Sequence, residues 1–576
     1  MFNRYYQDEL SNLRDLGAEF ARKHPALGPM LAGASSDPDV ERILEGVAFL
    51  NGLLRVKLDD DFPEIIHELM QIIWPHYLRP MPASTILAFS PKAALKNPMQ
   101  VPAGTSIASV PVDGTQCLFQ TCYPVSVHPI KLMKTAFHQP PGAADVIELS
   151  FQLQGMKCPD WHPQGLSFHL GGDYLVATEL FYLLQRHLSH IAIDTEDGQT
   201  CRLEPDHLQN MGSSPHEAII PYPDHSFPGY RILQEYFLLP EKFLFFRLTG
   251  WEHWLQRGDT DSFTVRFVLN TSPQAFARLK NENFILSATP AINLFSMHAK
   301  PIRLDHRQTE FPIQPDSSRA EHYQVYSVTD VVGIIHGTAE QRAYAPFDLY
   351  NPQSRDTPIY HVIRKRSPVH QGLSTFITVD FPKNGGLPKV ETLSIELLCT
   401  NGSLTENLQI GDIRLPTANT PEFVDCTNVM IPRPGGLPPM GENLHWRFLS
   451  HLSLNYLSLA RTENFKALLE LYLFPDTRDQ KTYLANRKRL DGLERVVSQP
   501  ANKLVSGIMM RGQDIRLTLR QDHFTGRGDV FLFSSVLNAF LGNYASINAF
   551  TQFTVEESLS GEEYRWPARL GDRPLI

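Results

Sequence analysis

Few residues of this chain combine reactive types with a spacing that could support catalysis. Asp305, His306, Arg307 and Glu310 lie close together and carry groups used in general acid–base chemistry. In an extended segment, however, alternate side chains point to opposite faces, so these groups do not converge on one substrate. We therefore interpret the segment as a solvated or salt-bridged strand edge.

Three further groups have the residue types of metal sites without the geometry. Cys117 and Cys122 are five residues apart, which places them on opposite faces of a strand. His187 and His190 share one face of a predicted helix, but no third ligand lies near them in the sequence. The aspartates at 59–61 precede a predicted helix, where carboxylates interact with the helix dipole. No metal, cofactor or catalytic residue is therefore predicted.

The motifs of common enzyme classes are also missing, including phosphate-binding glycine loops and the G-x-S-x-G elbow. The enzymatic alternative is a cell-wall or carbohydrate hydrolase with β-rich accessory domains, which needs two carboxylates facing each other across a cleft. A small-molecule or carbohydrate binding module is a third hypothesis. Its only support is Trp161, Trp251 and Trp254, should their rings be exposed.

Composition indicates an acidic protein of several domains. The 576 residues exceed the size of a single core. With 52 Lys and Arg against 62 Asp and Glu, the net charge of −10 argues against a nucleic-acid partner. Six sparse cysteines, no signal peptide and no apolar run of about 20 residues predict a reduced, cytoplasmic protein without direct membrane insertion.

Apolar residues at helical spacing mark the N-terminal region. Helices are predicted over 3–24, from Asp37-Pro38 onward, and from Pro63 to Trp74. Their apolar faces exceed what three short helices can bury among themselves, so partner helices should cover the remainder. The predicted partner interface consists of Tyr6, Leu10, Leu13, Phe20, Ile43, Leu44 and Val47.

Beyond residue 80, short β-prone stretches alternate with Pro/Gly turns, so the predicted fold class is multidomain α+β. The run at 235–248 is interpreted as two core strands broken at Pro240. Helices are also predicted over 443–473 and 479–497, and a strand near 515–520. The predicted domains are a helical bundle or oligomerisation region (1–80), a β-rich domain with a helix at 177–191 (81–230), a β-rich middle domain (231–430), a linker (431–442) and a C-terminal α+β domain (443–576).

Two distant segments, 172–191 and 528–547, share a pattern. Each opens with Gly-Asp, passes through a short apolar stretch and continues with apolar residues at helical spacing. A repeated strand–helix module that repeats no reactive residue indicates a structural protein rather than one built around a single active site.

Several strings occur in order along nearly the whole chain, at 5–25, 37–64, 229–248, 293–316, 397–404 and 528–552, and they include YYQDEL, LRDLGAEFARKHP and GDVFLFSSVLNAFLGNYASINAFTQ. Together these strings resemble the TssF family of type VI secretion system baseplate subunits. The resemblance implies a non-enzymatic structural subunit of the baseplate wedge. It also implies wing-like β-rich domains, similar to the wedge proteins of contractile phage baseplates.

The resemblance further implies the partners. A wedge would combine two TssF copies with TssG and meet TssK, TssE and the sheath. Wedges would surround the spike hub (VgrG) at the cytoplasmic face of the inner membrane and support sheath assembly. The family supplies no catalytic residue to transfer to this sequence.

Overall fold

The chain divides into two compact units. The first holds the described residues up to Leu78, and the second holds those from Arg79 onward. The domain boundaries predicted within the second unit stay predictions. The computed structural model describes residues 2–23, 38–142, 144–222, 227–271, 279–305, 307–338, 340–347, 357–366, 373–381, 390–438, 461–474, 479–505, 508–543, 545, 547 and 549–571.

The first unit contains two helices that pack against each other, α1 (Phe2–Lys23) and α2 (Pro38–Ile73). Pro38 begins α2 as predicted, whereas the predicted cap Asp37 lies outside the described residues. The prediction of a separate helix from Pro63 is wrong, because α2 runs through it as one helix of 36 residues. An interior proline costs about 3 kcal/mol, which cooperative helix formation on both sides outweighs. The aspartates at 59–61 therefore lie within a helix.

The second unit is mostly β-sheet and confirms the α+β class. Its helices are α3 (Tyr174–Arg186), α4 (Pro228–Leu238), α5 (Thr462–Leu471), α6 (Gln480–Asp491) and α7 (Arg527–Gly542). Its strands are β1 (Ser84–Pro91), β2 (Met99–Val101), β3 (Ser106–Ser109), β4 (Leu118–Thr121), β5 (Val125–Val127), β6 (Ile130–His138), β7 (Val146–Leu153), β8 (Leu166–Leu170), β9 (Leu188–Thr195), β10 (Thr200–Leu203), β11 (Leu208–Met211), β12 (Phe245–Leu248), β13 (Ser262–Leu269), β14 (Phe284–Leu286), β15 (Ala288–Ile292), β16 (Phe295–His298), β17 (Ile302–Leu304), β18 (Glu310–Ile313), β19 (Gln324–Ile335), β20 (Gln341–Ala343), β21 (Ala345–Pro346), β22 (Ile359–Arg366), β23 (Leu373–Asp380), β24 (Glu391–Thr400), β25 (Ile413–Pro416), β26 (Val424–Asn428), β27 (Leu493–Val505), β28 (Ile508–Leu519), β29 (Ala549–Glu557), β30 (Glu563–Arg565) and β31 (Arg569–Leu570).

These strands form several sheets, mostly with antiparallel neighbours. Their orders are β25-β3-β4-β15-β1-β26, β10-β9-β13-β7-β6, β11-β12-β8-β14, β16-β24-β19-β20, β18-β23-β22-β21, β2-β5 and β27-β28-β29-β30. Strand β17 also pairs with β24, and β31 pairs with β29. Because β28 and β29 are parallel and α7 lies between them in sequence, they form a βαβ unit.

The first of these sheets joins strands that are far apart in sequence. Its core buries Leu87, Phe119 and Ile413 at 0 % exposure, so residues from opposite ends of the β-rich region share one apolar cluster. The described part of the predicted linker is bound to the same sheet. Met81 N–H donates to Gly436 O at 2.8 Å, and Arg433 N–H donates to Ser84 O at 2.7 Å.

Two predicted helices are too long. Helix α3 ends at Arg186 rather than residue 191, and His190 lies in β9. His187 and His190 therefore do not share a helix face. Residues after His187 pair with β13, with Ile193 opposite Val265, because β-branched side chains favour that pairing.

The C-terminal predictions are the helices 443–473 and 479–497 and the strand near 515–520, and the structure agrees with them to different degrees. Helix α6 ends at Asp491 rather than 497, because the chain continues as β27 through the β-branched pair at 496–497. The part of the predicted 443–473 helix up to residue 460 lies outside the described residues, and α5 occupies the rest. The predicted strand near 515–520 is confirmed within β28.

The two-strand interpretation of 235–248 is also wrong in its first half. Helix α4 continues to Leu238, and only β12 is a strand. Pro228 at the first helical position starts α4, and Leu233, Tyr236 and Phe237 then recur at helical spacing. The run is buried core, as expected, but it is partly helical.

The two matched segments contact each other. Helix α3 packs against α7. In both segments the apolar residues directly after Gly-Asp belong to the helix, whereas a strand was predicted there, and a strand follows each helix instead. Glu179 on α3 accepts a hydrogen bond from Gly528 N–H at 3.1 Å and pairs with Arg527. A Cβ at Gly528 would fall inside van der Waals distance of the Thr178 carbonyl group. The glycine therefore allows the two helices to approach closely.

We expect Gly528→Ala to destabilise the second unit by about 1–3 kcal/mol, because the added methyl group forces the helix backbones apart. Gly542→Ala is the matched control at the end of α7, where a Cβ would meet only the Arg569 side chain. Urea unfolding followed by pulse proteolysis measures both variants. Equal stability of the two would contradict the close-approach role of Gly528.

Candidate interaction surface

A polar contact and a small buried set hold the helical hairpin of the first unit together. Arg14 on α1 donates from Nη2 to Glu41 Oε1 on α2 at 2.6 Å. Leu10 is 6 % exposed, and Ala48 is fully buried. These residues fix which helix faces turn outward.

The outward face of α2 carries an apolar stripe. Ile43 is 65 % exposed, Val47 40 % and Leu50 61 %, and their spacing of four and then three residues places them on one side of the helix. On α1, Leu16 is also exposed. Single exposed apolar residues are common, but a continuous row of them marks an interaction site.

The residues predicted for the partner interface differ in exposure. Phe20, Ile43 and Val47 are exposed, whereas Leu10 is buried. The half-buried members are Tyr6, Leu13 and Leu44. Sequence reasoning missed three exposed leucines, Leu16, Leu50 and Leu53. Helical spacing could have found two of them, because Leu16 lies three residues after Leu13 and Leu50 lies three residues after Val47.

The hydrolase hypothesis can be tested against the concave sites of the second unit. A cavity of about 50 Å³ beneath Phe237 and Tyr472 has Asp479 at its wall, but no second carboxylate lines it among the described residues. A shallow depression holds two carboxylates, Asp522 and Glu557. Neither site has the enclosed, facing carboxylates that glycoside hydrolysis requires.

The two carboxylates of the depression have the wrong electrostatics for a general acid. Hydrogen bonds from Arg520 and then His523 lower the pKa of Asp522 to about 2. Burial raises the pKa of Glu557, but hydrogen bonds from Ser560 and Gln521 outweigh it and lower that pKa overall. A glycosidase acid needs a raised pKa to stay protonated near neutrality.

The three tryptophans that could have lined a carbohydrate site are buried. Trp161 and Trp251 are 0 % exposed, and Trp254 is 1 % exposed. Trp161 stacks on Phe263 with a centroid distance of 5.3 Å, and its Nε1 donates to His128 Nδ1 at 3.2 Å. This cluster forms part of the β-rich core and offers no surface to a sugar.

Metal ligation finds no support in the part of the chain that the structure describes, where no three His, Cys, Asp or Glu side chains converge on one point. Nor does any helix there have the length and hydropathy to cross a bilayer. Asp305 and Arg307 lie near the chain surface between β17 and β18, while His306 lies outside the described residues.

Buried ionic residues occur elsewhere, and sequence reasoning missed them. Glu235 is fully buried, is ion-paired with Lys242, and accepts backbone N–H bonds from Ile219 at 2.8 Å and Ile220 at 3.0 Å. Burial lowers the pKa of Lys242, against the attraction of Glu235. Since both carboxylate oxygens of Glu235 accept hydrogen bonds from protein donors, this buried cluster joins elements of the fold.

An outward apolar stripe on a helical hairpin is typical of a subunit of a larger protein assembly, and the two concave sites described above offer no facing pair of carboxylates that would favour a hydrolase instead. A family model described as "Type VI secretion system, TssF" matches residues 1–573, and the chain belongs to this family of baseplate subunits. It is 30 % identical to the type VI secretion system component TssF1 of Pseudomonas aeruginosa strain PAO1, over 99 % of each chain.

Two solved structures contain chains of similar fold. One is the type VI secretion system TssK–TssF–TssG baseplate subcomplex, in which the matching chain gives a TM-score of 0.77 at 27 % identity, over 93 % of this chain and 99 % of that chain. The other is the baseplate complex from the type VI secretion system, with a TM-score of 0.66 at 24 % identity over all of both chains. The resemblance noted from the sequence is thereby confirmed, and a structural role is favoured over hydrolysis.

Proposed function

We propose that this chain is a non-catalytic structural subunit of the baseplate wedge that assembles with TssG and TssK. The observation that carries the proposal is the exposed stripe of Ile43, Val47 and Leu50 on α2. Covering each such side chain contributes about 1.5–3 kcal/mol, so a stripe of this size supplies much of the free energy of a stable interface. The similar chain in the solved subcomplex with TssK and TssG supports this choice of partners.

The finer arrangement belongs to the same proposal. A second copy of the chain joins the wedge, and the wedge meets TssE, the sheath and the VgrG hub at the cytoplasmic face of the inner membrane. The function is mechanical, because large interfaces hold the ring in one state until the sheath contracts and the subunits rearrange. No catalytic residue takes part.

The contact residues in this proposal are those predicted from the sequence, in three roles. Ile43, Val47 and Phe20 contact the partner directly, since they are exposed. Leu10 supports the stripe from inside the hairpin. The half-buried Tyr6, Leu13 and Leu44 form the border between the two sets.

Co-expression tests the proposal directly. The tagged full chain should retain TssG and TssK through affinity purification and gel filtration, as one stable complex. When it is expressed alone, the uncovered stripe should cause self-association or loss from the soluble fraction. A monomeric chain that retains neither partner would contradict the proposal, as would turnover of cell-wall glycan by that monomer.

A further inference from the structure

A long β-hairpin of the second unit leaves one backbone edge open. Strands β27 and β28 pair in a regular antiparallel register from Arg495 to Val505, and β27 is the terminal strand of its sheet. Within the described residues no further strand pairs with its outer side. Strand β29 pairs with β28 only from Arg511 onward, so the hairpin extends past that pairing. We name residues 498–504, near the end of the hairpin, the β27 edge.

The register also gives the direction of the backbone groups on β27. In an antiparallel pair, the N–H and C=O of one residue both face the partner strand, and those of the next residue both face away. Val496 N–H donates to Thr462 Oγ1 at 3.0 Å, outside the ladder, so even-numbered residues of β27 face outward. Pro500 is even-numbered, as expected for a residue that cannot donate to the ladder. Asn502 and Leu504 therefore present backbone donors and acceptors at the outer edge.

The side chains near the end of the hairpin include an exposed apolar pair. Leu504 lies opposite Met509 across the hairpin, and these side chains are 65 % and 67 % exposed. Nearer the base, Ile515 and Leu517 lie on the same face and are buried, so the apolar face of the sheet continues onto the exposed end. Lys503 points to the opposite face, because successive side chains alternate along a strand.

The end of the hairpin is locally basic in a chain that is acidic overall. Residues 498–513 contain Lys503 and Arg511 and no Asp or Glu, whereas the whole chain has a net charge of −10. A proline and a lysine on an edge strand discourage unselective pairing. A strand that does pair here must therefore bring a carboxylate to Lys503 and an apolar side chain to Leu504.

We propose that the β27 edge binds an extended segment of another protein in which acidic and apolar side chains alternate. The added strand forms main-chain hydrogen bonds with Asn502 and Leu504. Its apolar side chains cover Leu504 on one face and its carboxylates meet Lys503 on the other, which is the alternation that a strand provides. The edge lies outside the α2 stripe, so this inference goes beyond the proposed function.

Two other occupants fit the edge less well. A second copy of β27 brings another lysine and no carboxylate to residues 498–504, so its charges oppose pairing. An anionic membrane surface would suit the basic charge and the apolar pair, but it cannot form a regular ladder with the outward backbone groups of Asn502 and Leu504.

A peptide-binding assay on the full chain tests the proposal. The chain carries Ile43→Asp and Val47→Asp, which keep the α2 stripe in water and leave the second unit unchanged. The probe is a fluorescein-labelled peptide of alternating Asp and Val, about eight residues long, read by fluorescence anisotropy. The control probes are an alternating Lys–Val peptide and an Asp–Val peptide with a central proline. The Asp–Val peptide should bind roughly tenfold more tightly than either control.

Three substitutions at the edge should change this affinity in different directions. Asn502→Pro removes an outward N–H without breaking the ladder to β28, so the Kd for the Asp–Val peptide should rise roughly fivefold or more. Pro500→Ala restores an outward N–H, so the same Kd should fall. Lys503→Glu should reverse the preference in favour of the Lys–Val peptide. Pulse proteolysis in urea checks that each variant keeps the stability of its parent.

Several results would overturn the inference. The first is no binding of the Asp–Val peptide, or equal binding of the Asp–Val and Lys–Val peptides. The second is a preference that Lys503→Glu leaves unchanged. Binding of phosphatidylserine vesicles without binding of peptide would assign the hairpin to a membrane surface. Dimerisation that Asn502→Pro abolishes, again without binding of peptide, would assign the edge to a second copy of the chain.

Discussion

Replacing Ile43 and Val47 together by aspartate is expected to abolish retention of TssG and TssK while the β-rich unit stays folded. Both side chains are exposed on α2, so the charges are accommodated by water in the free chain. At a subunit interface the same two positions would lose about 3–6 kcal/mol of apolar burial and also desolvate two charges. That loss corresponds to a weakening of roughly a hundredfold to ten-thousandfold or more.

The control for this double variant is Leu484→Asp, on α6, where a leucine is similarly exposed in the second unit. It should leave the complex intact. Leu10→Asp is a poorer test because Leu10 is buried, so a charge there would disrupt the hairpin itself. Full retention of both partners by Ile43→Asp/Val47→Asp would remove the stripe from the interface.

Loss of the buried carboxylate of Asp529 is expected to cost about 3–5 kcal/mol of unfolding free energy, because Arg489 is then left without its counter-ion. Asp529 is fully buried in α7. Its Oδ2 accepts from Arg489 Nη2 at 2.9 Å and from Thr525 N–H at 3.1 Å, and its Oδ1 accepts from Tyr174 Oη at 2.9 Å. The urea midpoint of Asp529→Ala, measured by pulse proteolysis, checks the magnitude.

The repeated pattern provides a matched control. Asp173 aligns with Asp529, but it caps α3 from an exposed position, where Leu175 N–H donates to it at 2.9 Å. Its replacement by alanine should cost about 1 kcal/mol. Adding Arg489→Met to Asp529→Ala should recover part of the lost stability, because the uncompensated charge is removed. Equal effects of Asp173→Ala and Asp529→Ala would contradict this account of the ion pair.

Local patterns in the sequence predicted the elements that depend on local spacing. The stripe through Leu10, Leu13 and Phe20 predicted α1, and alternation in FTVRFVLN predicted β13. Helix ends were less predictable. The spacing of the apolar residues after Arg186 fits both the period of a helix and the period of a strand. The pairing of β9 with β13 decided the outcome in favour of a strand. Such pairing depends on residues some 70 positions away, which a local window does not contain.

The ion pairs of the buried charged residues were even less predictable, because they depend on contacts that a local window of the sequence does not show. Nothing near Asp529 in the sequence distinguishes it from Asp173, since its partners Arg489 and Tyr174 are 40 and 355 residues away. Glu235 and Lys242 are near each other in sequence, but only the bend between α4 and β12 brings their side chains into contact. The apolar surplus of the first unit was predictable because it follows from helical periodicity alone.

Photo-cross-linking from α2 tests the central claim most directly. A photoreactive amino acid at position 43 or 47 of the full chain, irradiated in the complex formed with TssG and TssK, should yield a covalent adduct with another subunit. The same probe at position 484 should yield none. Efficient cross-linking from 43 and 47 alone would agree with an apolar stripe covered by a neighbour. A stripe that stays free of adducts while the complex remains intact would contradict it.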